Sequence, residues 1–234
     1  MQKQKEEPIM IKKFIATAAR QKVSNSPGYY EAVNNPDLRY DIPNSYPVLP
    51  MIHAYVEPGD EVELIIIRME PEDEQGRATA KENAETMERL ARELSETKNA
   101  SSFRTVDFTV PDDEQIDTHL NIFERLISEI NGEDCIYVDV TYGTKTQMLA
   151  LVLAVNYTYQ AVPGAQVACV VYGNYNFQTY AKKIYDITLL FLMDQIVNRV
   201  AAIRHPDPAR VIRTILDHDR LPFAAEETEE ESKS

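Results

Sequence analysis

Short apolar runs alternate with longer amphipathic stretches along most of the chain. Several of the runs are almost continuously apolar, a pattern typical of strands that are covered on both faces of a parallel sheet. The predicted strands are residues 11–17, 62–68, 103–109, 135–140 and 167–172. Strands that alternate with helices in this way indicate an α/β fold.

The stretches between the strands carry apolar residues at helical spacing or are rich in good helix formers. The predicted helices are residues 79–98, 113–131, 144–159 and 187–204. Residues 173–186 read as a hairpin or an irregular excursion. We therefore predict a Rossmann-like, doubly wound, mostly parallel sheet with helices on both faces.

Two regions depart from this regular alternation. Residues 17–61 form a long connection rich in Tyr, Asn and Pro, with a short helix predicted near 48–56. So long an insertion is either a lid or binding loop, or an ordered excursion packed by its own tyrosines. We assign residues 9–204 to the main domain, 205–222 to a short helical extension and 223–234 to an acidic, disordered tail.

Composition limits the classes of function. Among 234 residues the net charge is -14, so binding of a long nucleic acid through a broad basic face is not expected. The two cysteines, Cys135 and Cys169, lie within predicted strands, which favours free thiols and a cytoplasmic location. We find neither a signal-like apolar segment nor a membrane-spanning run, and expect no membrane association.

A polar turn between an apolar strand and an apolar helix is the most informative motif. Its residues, 141–146, read TYGTKT, and they follow a strand of the predicted parallel sheet. Open α/β sheets bind ligands at the carboxyl ends of their strands, and the start of a helix favours an anion. The turn therefore predicts a binding site for a phosphate-bearing ligand.

The common nucleotide-binding motifs are absent. No two of the seven glycines are spaced as in GxG, which disfavours a dinucleotide cofactor. In GTKT, Thr144 separates Gly143 from Lys145, and Val138 stands where a phosphate-binding loop has its first glycine. A nucleoside triphosphatase is therefore disfavoured, and we predict neither a cofactor nor a metal site.

Three segments resemble the CRISPR-associated Rossmann-fold (CARF) domain, the sensor of cyclic oligoadenylates in type III CRISPR defence. They are KKFIATAARQ, YVDVTYGTKTQMLALVLAVNY and VVYGNYNFQTYAKKIYDITLLFLMDQIV, and the most specific piece is a strand that ends in D-x-T-x-G. The resemblance covers residues 9–204.

The resemblance implies a homodimer that binds cyclic tetra- or hexa-adenylate where two sites meet across a twofold axis. The implied ligand-binding residues are Thr17, Ala18, Arg20, Gln21, Thr141, Gly143, Thr144, Lys145 and Thr146. Tyr29, Tyr30 or Tyr40 would stack on adenine bases. The same residues also have structural interpretations: Thr141 as a turn cap, Arg20 as an ion-pair partner and the tyrosines as packing residues.

Some members of the family are ring nucleases, which cleave the ring without metal through attack by a ribose 2′-hydroxyl. The residues implied for such catalysis are Lys145, Thr144 and Thr17. Three alternatives stay open: a ligand-gated regulator, the sensor part of a longer effector, and a generic α/β nucleotide- or metabolite-binding enzyme. The last would need a catalytic carboxylate, for which Asp139 is the candidate.

Overall fold

A seven-stranded mixed sheet with helices on both faces forms the main body of the protein. The structure is a computed structural model that describes residues 10–23, 28–176, 178–204 and 206–218. The chain divides into two compact units, the first ending at Thr188 and the second beginning at Leu189. The sheet belongs to the first unit.

The strands and helices follow one another in an order close to the predicted one. The strands are β1 (Ile11–Thr17), β2 (Tyr30–Ala32), β3 (Glu61–Glu70), β4 (Ser102–Pro111), β5 (Cys135–Asp139), β6 (Gln166–Tyr175) and β7 (Lys182–Asp186). The helices are α1 (Val48–Tyr55), α2 (Glu74–Thr97), α3 (Ile116–Glu129), α4 (Lys145–Ala161), α5 (Thr188–Ala202) and α6 (Pro208–His218), with a 3-10 turn at Pro36–Leu38.

The sheet order is β2-β7-β6-β5-β1-β3-β4, and every neighbouring pair is parallel except β6 and β7. In the middle of the sheet Ile15 pairs with Ile65 on one side and with Val138 on the other. From β1 the chain proceeds to β3 and β4, whereas from β5 it proceeds to β6. Right-handed crossovers therefore place α1 and α2 on one face and α3 and α4 on the other. The order in which the chain adds strands therefore reverses between β1 and β5, which makes this the switch point of the sheet.

Aromatic stacking fills the face of the sheet beneath α1. The rings of Phe14 and Tyr137, on adjacent strands, stack with centroids 4.6 Å apart, and Tyr55 of α1 lies 5.1 Å from Tyr137. All three belong to a continuous apolar layer that also includes Met51 and Met87. This layer fixes the strand ends on which the candidate site is built.

The predicted α/β fold is confirmed, and the differences are local. Helix α2 begins at Glu74 rather than residue 79, because Asp73 caps it by accepting a 2.6 Å hydrogen bond from the Gly76 amide. Residues 173–186 do form a hairpin, between β6 and β7. The predicted tail at 223–234 lies outside the described residues, and the proposed domain bounds stay a prediction.

In its described parts, residues 18–23 and 28–60, the long connection after β1 is an ordered excursion. Strand β2 joins the edge of the sheet, and Tyr30, Tyr40 and Tyr46 are buried. Helix α1 occupies almost the predicted range. Among the residues described, no helix combines the length and the apolar character needed to cross a membrane.

Candidate functional site

A cavity of about 320 Å³ opens beside the carboxyl ends of β1 and β5, at the switch point where the strand order reverses. Open α/β sheets bind ligands at this position. Three parts of the fold form its walls: the segment after β1, the turn after β5, and the β6–β7 hairpin with the loop opposite it. The lining residues are Ala19, Arg20, Gln21, Lys22, Val23, Tyr30, Ser45, Tyr142, Gly143, Tyr175 and Lys182.

The lining of this cavity is basic although the protein is acidic. Arg20, Lys22 and Lys182 contribute three cations, and the described lining residues include no carboxylate. The whole chain has 24 Lys and Arg against 38 Asp and Glu, so a lining of this kind runs against the composition. The cavity therefore offers a local environment suited to an anion.

Lys182 is the most buried of the three cations, with 6% of its surface exposed. Its ammonium donates a 2.7 Å hydrogen bond to the carbonyl oxygen of Asn44 and lies 3.4 Å from Oγ of Ser45. It also lies 5.7 Å from the ring centroid of Tyr30. Burial lowers the pKa of Lys182. An anion bound nearby would have the opposite effect, because it would favour the charged form of the ammonium.

Two phenols close the inner side of the cavity. The hydroxyl of Tyr142 donates a 2.6 Å hydrogen bond to the carbonyl oxygen of Ser45, and that of Tyr30 approaches the same atom at 3.4 Å. Burial raises the pKa of both hydroxyls, which keeps them neutral. They tie the turn after β5 to the excursion that carries Ser45.

Of the three tyrosines considered for base stacking, Tyr30 alone lines the cavity among the described residues. Its ring is 3% exposed and forms part of the wall. Tyr29 is exposed, whereas Tyr40 is buried against the ring of His53, with centroids 5.0 Å apart.

The segment after β1 is held in place by α2. The side-chain amide of Asn83 donates hydrogen bonds to the carbonyl oxygens of Ala19, at 2.8 Å, and Gln21, at 2.9 Å. Asn83 is itself buried, so the two bonds fix the backbone on either side of Arg20. The guanidinium of Arg20 contacts both carboxylate oxygens of Asp112 at 2.7 Å, which offsets part of its charge.

The turn after β5 is built on Asp139 and Thr141. The Thr141 amide donates a 2.9 Å hydrogen bond to Oδ1 of Asp139, while the Thr141 hydroxyl accepts one of 2.7 Å from the amide of Gly173. Burial raises the pKa of Asp139 to about 6, an effect that hydrogen bonds from Thr141 and the Val48 amide partly offset. Thr141 and Asp139 thus brace the turn from below.

Gly143 gives this turn its shape. Its φ is +110°, and a Cβ atom there would lie 2.6 Å from Cε of Met148 and 3.4 Å from Cγ2 of Thr17. A side chain would therefore be strained by the backbone and crowded by its neighbours. Because Gly143 has no side chain, the cavity extends to the backbone of the turn.

The hydroxyl groups at the start of α4 make hydrogen bonds within the protein. Thr144 caps the helix: its Oγ1 accepts a 3.3 Å hydrogen bond from the Gln147 amide, and its own amide donates one of 3.1 Å to Oε1 of Gln147. The hydroxyls of Thr144 and Thr146 lie 2.9 Å apart, and Thr146 also donates to Glu114. This is a capping box, worth about 1 kcal/mol of helix stability.

Lys145 is exposed at the first position of α4 and has no hydrogen-bond or ion-pair partner among the described residues. It lies on the same turn as Gly143 but outside the cavity lining.

The nine predicted ligand-binding residues thus fall in two segments that the sheet brings together. Arg20, Gln21 and Gly143 line the cavity. The other six lie in the same segments outside its lining: Thr17, Ala18, Thr141, Thr144, Lys145 and Thr146. Thr17 and Ala18 are buried, with 1% or less of their surface exposed.

Sequence reasoning missed Lys22, Ser45, Tyr142, Tyr175 and Lys182 as lining residues. The signal for Lys182 is the basic pair in AKKIYD, which lies in a segment read as a hairpin. Lys22 directly follows the predicted Arg20 and Gln21. Ser45 carried no such signal, because its position depends on how the excursion folds back.

No protein-family model matches the chain, and no curated protein matches it. Within the described part of the chain, no group of three or more His, Cys, Asp or Glu side chains is arranged to hold a metal ion.

Proposed function

We propose that the protein binds cyclic oligoadenylate at this cavity and acts as a CARF protein in type III CRISPR antiviral defence. The observation that carries the proposal is a cavity lined by Arg20, Lys22 and Lys182 at the switch point of the sheet, between β1 and β5. Two residues of the D-x-T-x-G motif that carries the CARF resemblance, Tyr142 and Gly143, line this cavity.

Each wall of the cavity supplies an interaction that a nucleotide needs. Lys22 and Lys182 would offset phosphodiester charge, with Lys145 extending the basic surface at the rim. The ring of Tyr30 would contact a base, and Gly143 would let a phosphate or ribose approach the backbone. Hydroxyls of Ser45 and Tyr175 add hydrogen-bonding groups for a ribose.

The size of the cavity supports a site shared between two copies. A volume of about 320 Å³ is at the lower end of the range of about 300 to 1,000 Å³ for ligand pockets. A ring of several nucleotides would extend beyond it. A twofold axis that brings two such cavities together would match the rotational symmetry of the ring, so the proposed active form is a homodimer.

Binding without cleavage is better supported than ring-nuclease activity. The hydroxyl of Thr144 takes part in the helix cap, and that of Thr17 is buried outside the cavity lining. Of the three residues implied for cleavage, Lys145 has an exposed side chain. We accordingly propose a cyclic oligoadenylate sensor or ligand-gated regulator, with ring cleavage as the second candidate.

A generic metabolite-binding enzyme with Asp139 as its catalytic carboxylate is less well supported. Asp139 is 1% exposed and receives a hydrogen bond from the Thr141 amide. Its position beneath the turn keeps it from a ligand in the cavity, and it is not among the lining residues.

The test is to incubate the protein with cyclic tri-, tetra- or hexa-adenylate in EDTA. Liquid chromatography with mass spectrometry then follows the bound ring and any linear products. A bound, intact ring supports the sensor, and linear products support the ring nuclease. If none of the three rings binds, the proposal is wrong.

Substitutions locate the binding to the cavity. Lys182→Met and Lys145→Ala should both weaken ring binding, the first more strongly because Lys182 lines the cavity. Lys81→Ala is the matched control, since Lys81 is an exposed lysine of α2 that pairs with Glu85. If Lys182→Met and Lys145→Ala bind the ring with the same affinity as Lys81→Ala and the wild type, the ring binds elsewhere on the protein.

A further inference from the structure

A loop with three consecutive carboxylates, Asp112, Asp113 and Glu114, joins β4 to α3. It begins at the carboxyl edge of the sheet, because the Asp112 amide continues the β3–β4 pairing with a 3.3 Å hydrogen bond to the carbonyl oxygen of Glu70. We call residues 112–114 the acidic loop. Its carboxylates lie outside the cavity lining, but two of them contact the two predicted ligand-binding segments.

The first contact joins the acidic loop to the segment after β1. Both oxygens of Asp112 accept from a single guanidinium nitrogen of Arg20, Nη1, at 2.7 Å. Among the described residues, Nε and Nη2 of Arg20 make no further hydrogen bond, so these donors are left for a ligand in the cavity. The Arg20 side chain is 42% exposed and that of Asp112 is 16% exposed. The more enclosed carboxylate therefore holds the more open guanidinium in place.

The second contact joins the acidic loop to the start of α4. The Thr146 hydroxyl donates to Oε2 of Glu114, whose side chain is 58% exposed. Asp113, between the two, serves the start of α3 instead, where it accepts a 3.0 Å hydrogen bond from the Gln115 amide. The loop thus brings negative charge to both predicted ligand-binding segments, one carboxylate to each.

The ion pair with Asp112 limits the positive charge of the cavity. Arg20, Lys22 and Lys182 supply three cations, and Asp112 offsets one of them. A phosphodiester carries one negative charge, whereas a phosphomonoester carries close to two at neutral pH, since its second pKa is about 6. The Asp112 carboxylate repels every charge on the ligand, so it opposes a phosphomonoester about twice as strongly as a phosphodiester.

We propose that Asp112 is a specificity-determining residue, which positions Arg20 and lowers the charge of the cavity so that phosphodiesters are selected over phosphomonoesters. This inference rests on the proposed function, because it concerns how the same cavity distinguishes its ligand. The phosphates of a cyclic oligoadenylate are all phosphodiesters. Mononucleotides, and linear oligoadenylates that end in a phosphate, carry the more highly charged group and are discriminated against.

A purely structural ion pair is the simpler interpretation of Arg20 and Asp112. Partly exposed ion pairs contribute little to stability, and breaking one changes the melting temperature slightly. Breaking a structural pair would leave the choice between two anions unchanged. Selectivity between ligands of different charge therefore separates the two interpretations.

The test uses two ligands that share adenine and ribose but differ in the charge of the phosphate. They are adenosine 3′,5′-cyclic monophosphate, a phosphodiester, and adenosine 5′-monophosphate, a phosphomonoester. Titration followed by NMR at neutral pH gives the ratio of their dissociation constants, and the wild type should bind the diester more tightly. Asp112→Asn keeps a hydrogen-bond acceptor for Arg20 and should shift the ratio toward the monoester by about 3- to 10-fold. Asp112→Ser removes the same charge with a smaller side chain and should shift the ratio in the same direction.

Arg20→Gln gives the opposite change. It removes the cation but keeps Asp112, so it should shift the ratio further toward the diester. Glu93→Gln and Arg89→Gln are the matched controls, since they break an exposed ion pair of α2 by the same kinds of substitution. Glu93 lies ten residues, about 15 Å along the helix, beyond Asn83, which contacts the segment of Arg20. Both controls should keep the wild-type ratio.

The order of the variants decides the inference. Preference for the diester that increases from Asp112→Asn through the wild type to Arg20→Gln supports it. An unchanged ratio in both Asp112→Asn and Asp112→Ser would overturn it, as would an equal change in Glu93→Gln. A wild type that prefers the monoester, or that binds neither mononucleotide, would overturn it as well. Circular dichroism of each variant checks that the fold is kept.

The inference and the proposed function fail in different ways. If the mononucleotides give the expected order but none of the adenylate rings binds, the proposed function is wrong and the role of Asp112 is retained. If a ring binds but the Asp112 variants keep the wild-type ratio, the function is retained and the inference is wrong.

Discussion

The ammonium of Lys182 donates a 2.7 Å hydrogen bond to the carbonyl oxygen of Asn44, which is 138 residues away in sequence. This contact joins the β6–β7 hairpin to the excursion after β1, and it closes one side of the cavity. It also fixes the position of the buried cation that lines the cavity. The binding proposal therefore depends on Lys182 more than on Lys145.

Replacing Lys182 by Met should weaken cyclic oligoadenylate binding by about 10- to 100-fold, the value of a hydrogen bond to a charged group. Met keeps most of the apolar stem, so the cavity wall should persist. Titration calorimetry with the ring that binds the wild type measures the change. Lys81→Met, which removes a lysine from the exposed face of α2, should bind as the wild type does. Unchanged affinity in Lys182→Met would remove this residue from the site.

Thr144→Ala should lower the free energy of unfolding by about 1 kcal/mol, because it removes the side-chain acceptor of the capping box. Urea denaturation followed by circular dichroism measures this loss. Thr144→Ser keeps the hydroxyl and should retain most of the stability. The pair also tests the predicted ligand-binding role of Thr144: full ring binding in Thr144→Ala would mean that this hydroxyl serves the helix rather than the ligand.

Gly143→Ala should destabilise the protein more than Gly59→Ala. Both glycines have positive φ, +110° and +93°, so an alanine is strained at either position. At Gly59 a Cβ would meet nothing within 4 Å, whereas at Gly143 it would lie 2.6 Å from Cε of Met148. Comparison of the two urea midpoints separates the backbone strain, on the order of 1 kcal/mol, from the crowding at the turn. Equal losses would show that Met148 moves aside at little cost.

Much of the fold follows from local pattern, which is why the sequence predicted it. The apolar runs at β1, β3 and β5 require a parallel sheet covered on both faces, and the carboxyl ends of β1 and β5 then meet. That pairing brings the segments of Arg20 and Gly143 to the same cavity. The pattern carries no information on β2, a three-residue edge strand that is held by the hairpin rather than by its own sequence.

Side-chain partners within the site depended on long-range contacts. Arg20 was open to either a ligand or an acidic partner, and its ion pair with Asp112 comes from the end of β4, 92 residues away. Ser45 enters the cavity because Tyr142 and Lys182 contact the excursion that carries it. Such contacts form after the elements have packed, so spacing along the chain does not encode them.

Asp139 should make the stability of the protein depend on pH. Burial raises the pKa of its carboxyl from 3.8 to about 6. Folding therefore favours the protonated form, and the contribution of this group to stability is lost as the pH rises from about 4 to about 6. Asp139→Asn cannot lose that proton. Its free energy of unfolding, relative to the wild type, should rise by about 2 kcal/mol between pH 4 and pH 7.

Urea denaturation of Asp139→Asn, Asp139→Ala and the wild type across this pH range measures the effect. Asp139→Ala loses the acceptor for the Thr141 amide, so it should be less stable than Asp139→Asn at every pH while showing the same slope relative to the wild type. A stability difference that does not change between pH 4 and pH 7 would mean that folding leaves the pKa of this carboxyl near its ordinary value, so that the buried group is ionised over most of this range. The hydrogen bonds from Thr141 and Val48 would then offset the cost of burying the charge of Asp139. The turn beside the cavity would be stabilised by a buried carboxylate.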